Sequence, residues 1–375
     1  MKVGILSMQR CMNWGSYLQA WGLKHLIERE CNCQVEFVDI EGEDWEERIE
    51  LSPLVPAKRL YHKWMYQLSP EKNAIHFEPY KMNENLMNGQ KMINGLLEKH
   101  WAILGLANEA RTDLECDVLV IGSDEMFNCT MPRYLDRHLC LFGLNVHCKK
   151  KISYAASFGD TTIEKIKHNG FIDDVGEALR SFNQLSVRDQ NSYNIVQNLT
   201  GMEPVFNLDP VLMYEFPEVN SIKVRHKNYI AVYGYGNNIN DPEIISELKK
   251  FAKDRGLKLL AIGNGQDFCD ETVAFSPFEV LAYMKNATYS VTNTFHGTIF
   301  SLKYGIPFAV MVRGMNQNKL GDLVRRFNVT DRVVDDAKKI GKTLLNPLDD
   351  IFIQNKILEN RKITCQYLKD NIVGA

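Results

Sequence analysis

Thr292-Asn293-Thr294-Phe295-His296-Gly297-Thr298 gathers a histidine, a glycine and several hydroxyl or amide side chains into one turn. A β-rich run, 287–292, precedes it, and an apolar-periodic segment follows until Gly305. The pattern predicts strand, tight turn and helix. A helix opening at Gly297 would direct free backbone N–H groups at the turn, the geometry that holds an anion. His296 would sit beside that anion as a titratable group. Thr294 and Thr298 are candidate ligands from the same turn.

Three further turns carry reactive side chains at predicted strand ends. They are Arg10 to Ser16, Gly122-Ser123-Asp124, and Ser157-Phe158-Gly159 together with Arg188-Asp189. In a doubly wound sheet such ends share one rim, where ligands sit. Each residue has a structural alternative. His296 fits a satisfied core position, Arg188 a salt bridge to Asp189 or Asp209, and Asp124 a helix N-cap. The glycines 4, 122, 159 and 297 fit ordinary turns.

The elements that would position these turns alternate in βαβ fashion. Residues 2–8 read as a buried strand. A helix over 16–30 follows, with Ser16 as N-cap, and 34–40 form the second strand. Residues 43–112 are less regular. They read as a helical insertion with helices at about 57–69 and 84–106, and the basic and aromatic residues of 57–67 suit either an acceptor cover or a solvated helix. Strands are expected at 116–124, 151–159, 184–189 and 205–210, with a helix at about 162–182. The pattern restarts with a strand at 228–236 and a helix from Asp241-Pro242 to about 255. It continues with a strand at 258–263, a helix opening at Ser276-Pro277, the His296 turn and a strand at 307–312. Residues 1–210 are thus expected to form one Rossmann-like α/β domain and 211–345 another, facing across a cleft. The final helix, 346–375, is a candidate to cross back to the first domain.

Composition agrees with this and excludes other classes. The chain has 375 residues, enough for about two domains. Apolar residues make up 45% and charged residues 24%, as in globular proteins. A net charge of -3 argues against nucleic-acid binding. No run approaches the roughly 20 apolar residues of a membrane span. The nine cysteines form no C-x-x-C pair and fit reduced thiols in the cytoplasm. No dinucleotide glycine fingerprint, P-loop, zincin or α/β-hydrolase motif is present, and no carboxylate cluster suggests a metal.

The chain resembles the polysaccharide pyruvyltransferase family. The resemblance rests on Asn13-Trp14-Gly15-Ser16-Tyr17-Leu18-Gln19-Ala20, Gly122-Ser123-Asp124-Glu125-Met126-Phe127-Asn128, Ser153 to Gly159, Leu185 to Asp189, Leu208-Asp209-Pro210, and Thr294 to Leu302. A late segment, Asn318 to Leu323, is also similar. The resemblance implies a GT-B-like fold. It implies transfer of the enolpyruvyl group of phosphoenolpyruvate to a sugar of a cell-surface polysaccharide or its lipid-linked precursor, forming a pyruvate ketal without a cofactor or metal. His296 and Arg188 are the functional positions it carries over. On this reading His296 is the general acid, Arg188 grips the donor, the helix opening at Gly297 holds phosphate and Asp124 deprotonates a sugar hydroxyl. Asn13, Gly15, Ser16, Gln19, Ser123 and Ser157 join Thr294, Gly297 and Thr298 as candidate substrate contacts. Some family branches carry Arg where Thr294 stands, so a second cation is sought in Arg313, Lys319 or Arg10. Phe127 replaces a frequent Trp. The expected location is cytoplasmic, at the inner membrane face for a lipid-linked acceptor. Two alternatives are a nucleotide-sugar glycosyltransferase of the same fold and a non-catalytic glycan-binding protein.

Overall fold

The computed structural model describes residues 1–40, 84–106, 111–112, 114–312 and 317–374. The expected helix at 57–69 and Arg313 lie outside them. Two parallel sheets organise the chain. The first contains β1 (Lys2–Leu6), β2 (Gln34–Phe37), β3 (Cys116–Asp124), β4 (Cys148–Ala156), β5 (Ser186–Val187) and β6 (Val205–Phe206), in the order β2-β1-β3-β4-β5-β6. The second contains β7 (Tyr229–Tyr233), β8 (Lys258–Ile262), β9 (Glu271–Val273), β10 (Tyr289–Thr292) and β11 (Phe308–Val310), in the order β11-β10-β7-β8-β9. The chain is therefore α/β, with two Rossmann-like domains of GT-B type. The strand order reverses between β1 and β3 in one sheet and between β7 and β10 in the other. These are the two crevices where such sheets bind ligands.

The helices follow from local sequence. The first, α1 (Trp14–Cys31), is capped by Asn13, whose Oδ1 accepts the Ser16 N–H at 2.7 Å. The expected cap, Ser16, instead lies inside the helix. A helix spanning Glu84–Leu104 (α2) occupies part of the expected insertion. The single helix expected at 162–182 is two, α3 (Ile163–His168) and α4 (Ile172–Arg180). Gly170, at φ +73°, breaks the run. Then come α5 (Gln190–Thr200), α6 (Pro210–Met213), α7 (Pro242–Asp254) and α8 (Pro277–Lys285). Pro at the first helical position and Asp209, Asp241 or Ser276 as N-cap start the last three of these. The helix α9 (Phe295–Tyr304) begins two residues earlier than expected, because Thr294 is its N-cap. The described helices end with α10 (Gln317–Arg326), α11 (Ile340–Leu345) and α12 (Asp350–Leu368).

One apolar core runs through both domains. Trp14, Tyr17 and Leu23 from α1 meet Leu212 and Phe216 of the connecting segment and Ile299 and Phe300 of α9. Separate clusters cover the outer faces of the two sheets. Each large apolar side chain so buried contributes about 1.5–3 kcal/mol. The last helix touches both domains. Gln354 donates to the Leu302 carbonyl at 3.2 Å, whereas Tyr367 Oη donates to the Ser153 carbonyl at 2.6 Å. Among the described residues no helix is long and apolar enough to cross a membrane.

Candidate functional site

The two switch points face each other. After β1 the chain turns through Cys11 and Asn13 into α1, and β3 ends at Asp124 beside it. Across the gap, β7 leads to Tyr235 and β10 leads to Phe295 and His296. A cavity of about 340 Å³ lies between them. Asn13, Ser16, Asp124 and Glu125 line it from the first domain, with Tyr235, Phe295, His296 and Lys319 from the second. A larger cavity, about 670 Å³, is lined by Asp39, His138 and His147. It takes nothing from the second domain, whereas the smaller one is lined from both switch points.

An ionic chain runs from Asp124, which lines the cavity, to Arg188 and Asp209, which do not. Arg188 Nη1 donates to Asp209 Oδ2 and Nη2 to Asp124 Oδ1, each at 2.9 Å. All three residues are at least nine-tenths buried. The guanidinium also lies 4.3 Å from the Phe295 ring of the opposite domain, a cation–π contact. Asp124 accepts a second hydrogen bond, from Ser16 Oγ at 2.8 Å. Asp209 caps α6 through the Val211 N–H at 3.0 Å and lies 3.6 Å from His296 Nε2. Burial pushes both aspartates up, but Arg188 and His296 outweigh it, and both are held below the usual carboxylate range. Arg188 thus pairs with Asp209, and with Asp124 rather than Asp189. Asp124 is no helix cap.

His296 is clamped from two sides. Nε2 points to Asp209, and Gly15 packs against the ring. A Cβ at position 15 would stand 2.3 Å from His296 Cγ and Nδ1. Only glycine lets α1 approach this closely. The next helix position is equally crowded, since a Cβ on Gly297 would lie 2.1 Å from Thr292 Oγ1.

The remaining expected ligands divide into two groups. Thr294 Oγ1 accepts the Gly297 N–H at 3.0 Å, and Thr298 Oγ1 donates to the Thr294 carbonyl at 3.1 Å. Ser157 Oγ donates to Asp189 Oδ2 at 2.6 Å, and Ser123 Oγ lies 3.4 Å from Asp209 Oδ2. Gln19 Nε2 donates to Ser7 Oγ at 2.8 Å, with its Oε1 buried and unpartnered. These groups build the turns rather than line the cavity. Asn13, Ser16, Asp124, His296 and Lys319 do line it. Because Thr294 occupies the Gly297 N–H, the first-turn donors left at α9 belong to Phe295 and His296.

The spare cation resolves differently from expectation. Arg10 is buried in a bidentate pair with Asp39, at 2.8 and 2.9 Å, over the Trp101 ring, and does not line the cavity. Lys319, on α10, does, and its ammonium contacts the Glu125 carboxylate across the cleft. Burial alone would lower the Lys319 pKa, but Glu125 raises it. Glu125 and Tyr235 are lining residues that the motifs do not point to. Glu125 follows the motif position Asp124, and Tyr235 stands two residues past the end of β7 with no candidate position beside it.

Solved structures with a similar chain course include UDP-GlcNAc 2-epimerase from Methanocaldococcus jannaschii, at 10% identity and TM-score 0.48, with 93% of each chain covered. A glycosyltransferase from Streptomyces sp. SF2575, complexed with thymidine diphosphate, has 10% identity and TM-score 0.46, with 98% of each chain covered. For an O-GlcNAc transferase from Thermobaculum terrenum the values are 12% and 0.40; 98% of this chain is covered, and it spans 64% of that one. Comparison with curated proteins finds no match. The family described as polysaccharide pyruvyl transferase matches residues 13–314. That span contains the Asn13 turn, Asp124, Arg188, Asp209 and His296, and this chain belongs to that family of transferases.

Proposed function

We propose that this protein moves the pyruvyl unit of phosphoenolpyruvate onto two hydroxyls of a sugar, in a cell-surface polysaccharide or its lipid-linked precursor. Phosphate leaves and a cyclic ketal remains. The observation that carries this reading is His296, fixed between Gly15 and Asp209 at the wall of a cavity whose cations include Lys319. A lipid-linked acceptor would be met at the inner membrane face.

The donor needs anion contacts, a proton at its methylene carbon and a counter-charge for the oxocarbenium-like centre that follows. Lys319 and the Phe295 and His296 N–H groups are available to phosphate or carboxylate. With Nε2 turned to Asp209, His296 has Nδ1 as the nitrogen free to carry a proton to the methylene carbon. Asp124, held ionised, supplies negative charge beside the centre. Arg188 in this reading is a positioning residue: it keeps Asp124 and Asp209 ionised and in place rather than gripping the donor. Small-molecule sites span about 300–1,000 Å³. A cavity of about 340 Å³ is at the lower end, in keeping with a three-carbon donor and one sugar ring.

The test is phosphate release from phosphoenolpyruvate with sugar acceptors. His296→Ala is expected to lower turnover by about 10²–10⁴-fold, the worth of a positioned acid. Phosphoenolpyruvate is expected to raise the melting temperature of the wild-type protein. Stabilisation by nucleotide sugars instead, with no phosphate release, would replace this reading with glycosyl transfer.

A further inference from the structure

The mechanism above leaves the acceptor's proton without a base. Asp124 is the residue sequence motifs suggest, but both its oxygens are occupied, by Arg188 and Ser16. Its pKa, held low by Arg188, also makes it a poor proton acceptor. Asp209 is fully buried, with its oxygens on Val211, Arg188 and His296. One other carboxylate lines the cavity among the described residues, that of Glu125. Its Oε2 accepts from Asn128 Nδ2 at 2.7 Å, which fixes the side chain. Its Oε1 meets Lys319, and the pair is partly open to solvent.

We propose that Glu125 is the base that takes the acceptor hydroxyl's proton, after the donor's anion has displaced it from Lys319. This rests on the phosphoenolpyruvate reading. Lys319 cannot serve Glu125 and a donor phosphate or carboxylate equally, and a multiply charged anion is the stronger partner. Its arrival frees Oε1 beside the donor. The acceptor O–H then gives its proton to Oε1 as the new C–O bond forms at the donor's central carbon. The double-bond electrons take a proton from His296 at the methylene carbon, making a methyl group. In the second step the other hydroxyl attacks the same carbon and passes its proton to His296. The C–O bond to phosphate breaks, and protonated Glu125 returns its proton to the leaving phosphate. Both side chains end as they began. The order of binding follows: donor first, acceptor second.

The experiment uses the full chain with phosphoenolpyruvate and the methyl glycosides of galactose, glucose and mannose. Glu125→Gln keeps the size and the Asn128 contact but cannot take the proton. It is expected to lower phosphate release by about 10²–10⁴-fold. It should also bind phosphoenolpyruvate more tightly than wild type, because the competitor for Lys319 has lost its charge. A merely structural Glu125 would weaken both. Glu125→Ala should regain turnover when formate is added, and Glu125→Asp should regain part of it. If Glu125→Ala does not fold, Glu125→Gln carries the test alone. Turnover by Glu125→Gln within threefold of wild type, or loss of its donor binding, overturns the assignment. A wild-type protein that releases no phosphate with any of these acceptors overturns the phosphoenolpyruvate reading itself, and this inference with it.

Discussion

Replacing Gly15 by alanine tests the placement of His296 without touching the histidine. The added Cβ would lie 2.3 Å from Cγ and Nδ1 and 2.8 Å from Cβ of His296. Ordinary contact begins at 3.4 Å, so the ring and α1 must separate by about 1.1 Å (3.4 less 2.3). Neither side yields easily. Gly15 lies in the first turn of α1, held by the Asn13 cap, and Trp14 beside it is buried against Gly263. The ring faces Asp209 at 3.6 Å. Overpacking of this kind costs about 1–3 kcal/mol of stability. Displacing a catalytic group by about 1 Å costs on the order of 10²-fold in rate. Gly15→Ala is therefore expected to melt lower and to lose about 10²-fold in phosphate release. Gly95→Ala in α2 is the control, since a Cβ there meets nothing within 4 Å. It should keep the wild-type rate. Turnover within threefold of wild type for Gly15→Ala would refute the clamp, and a normal rate with a lowered melting point would confine Gly15 to packing.

Three further outcomes follow from the ionic chain and the α9 cap. Arg188→Met leaves Asp124 and Asp209 buried without their shared cation and should cost about 3–5 kcal/mol in urea unfolding; a loss under about 1 kcal/mol would contradict the pairing. Asp124 and Asp209 are held below the ordinary aspartate value of 3.8 in the folded chain. Their contribution to stability is thus complete above about pH 4 and fades as pH falls through the folded values. Melting temperature measured against pH should drop on that acid side, and Asp209→Asn should show a shallower acid slope from a lower plateau. Thr294→Val removes the Gly297 cap and should cost about 1 kcal/mol, with Thr294→Ser near neutral; equal melting points for both would show that the cap contributes nothing.

Local patterns made the fold legible. Alternation, caps and turn glycines placed most strands and put the turns of Asn13, Asp124 and His296 at strand ends. The shortfalls are also local in origin. The strand Glu271–Val273 is three residues long and carries a glutamate and a threonine, so it offers no apolar run. Asn13 and Ser16 are both good caps, and only the backbone decides that Asn13 takes the role. Pairing was harder to read. Whether Arg10, Arg188 or Lys319 is available to a ligand depends on Asp39, Asp124, Asp209 and Glu125, which lie 21 to 194 residues away in sequence. Spacing along the chain carries no record of such partners. Glu125 occupies an unspecified position of its motif, so nothing local marks it as the partner of Lys319.

The final helix has a mechanical consequence. The chain passes between the domains through 211–227 and again through α12, which packs against α6 and α1 on one side and α9 on the other. The domains are joined a third time on the cleft side, where α10, the helix that carries Lys319, packs on α5 of the first domain and the Arg326 guanidinium lies 4.6 Å from the Phe206 ring. A domain held along three lines does not swing on one of them. The seat of Lys319 is therefore set by the packing of α10 on α5, and a change in that packing would be felt at the ion pair with Glu125.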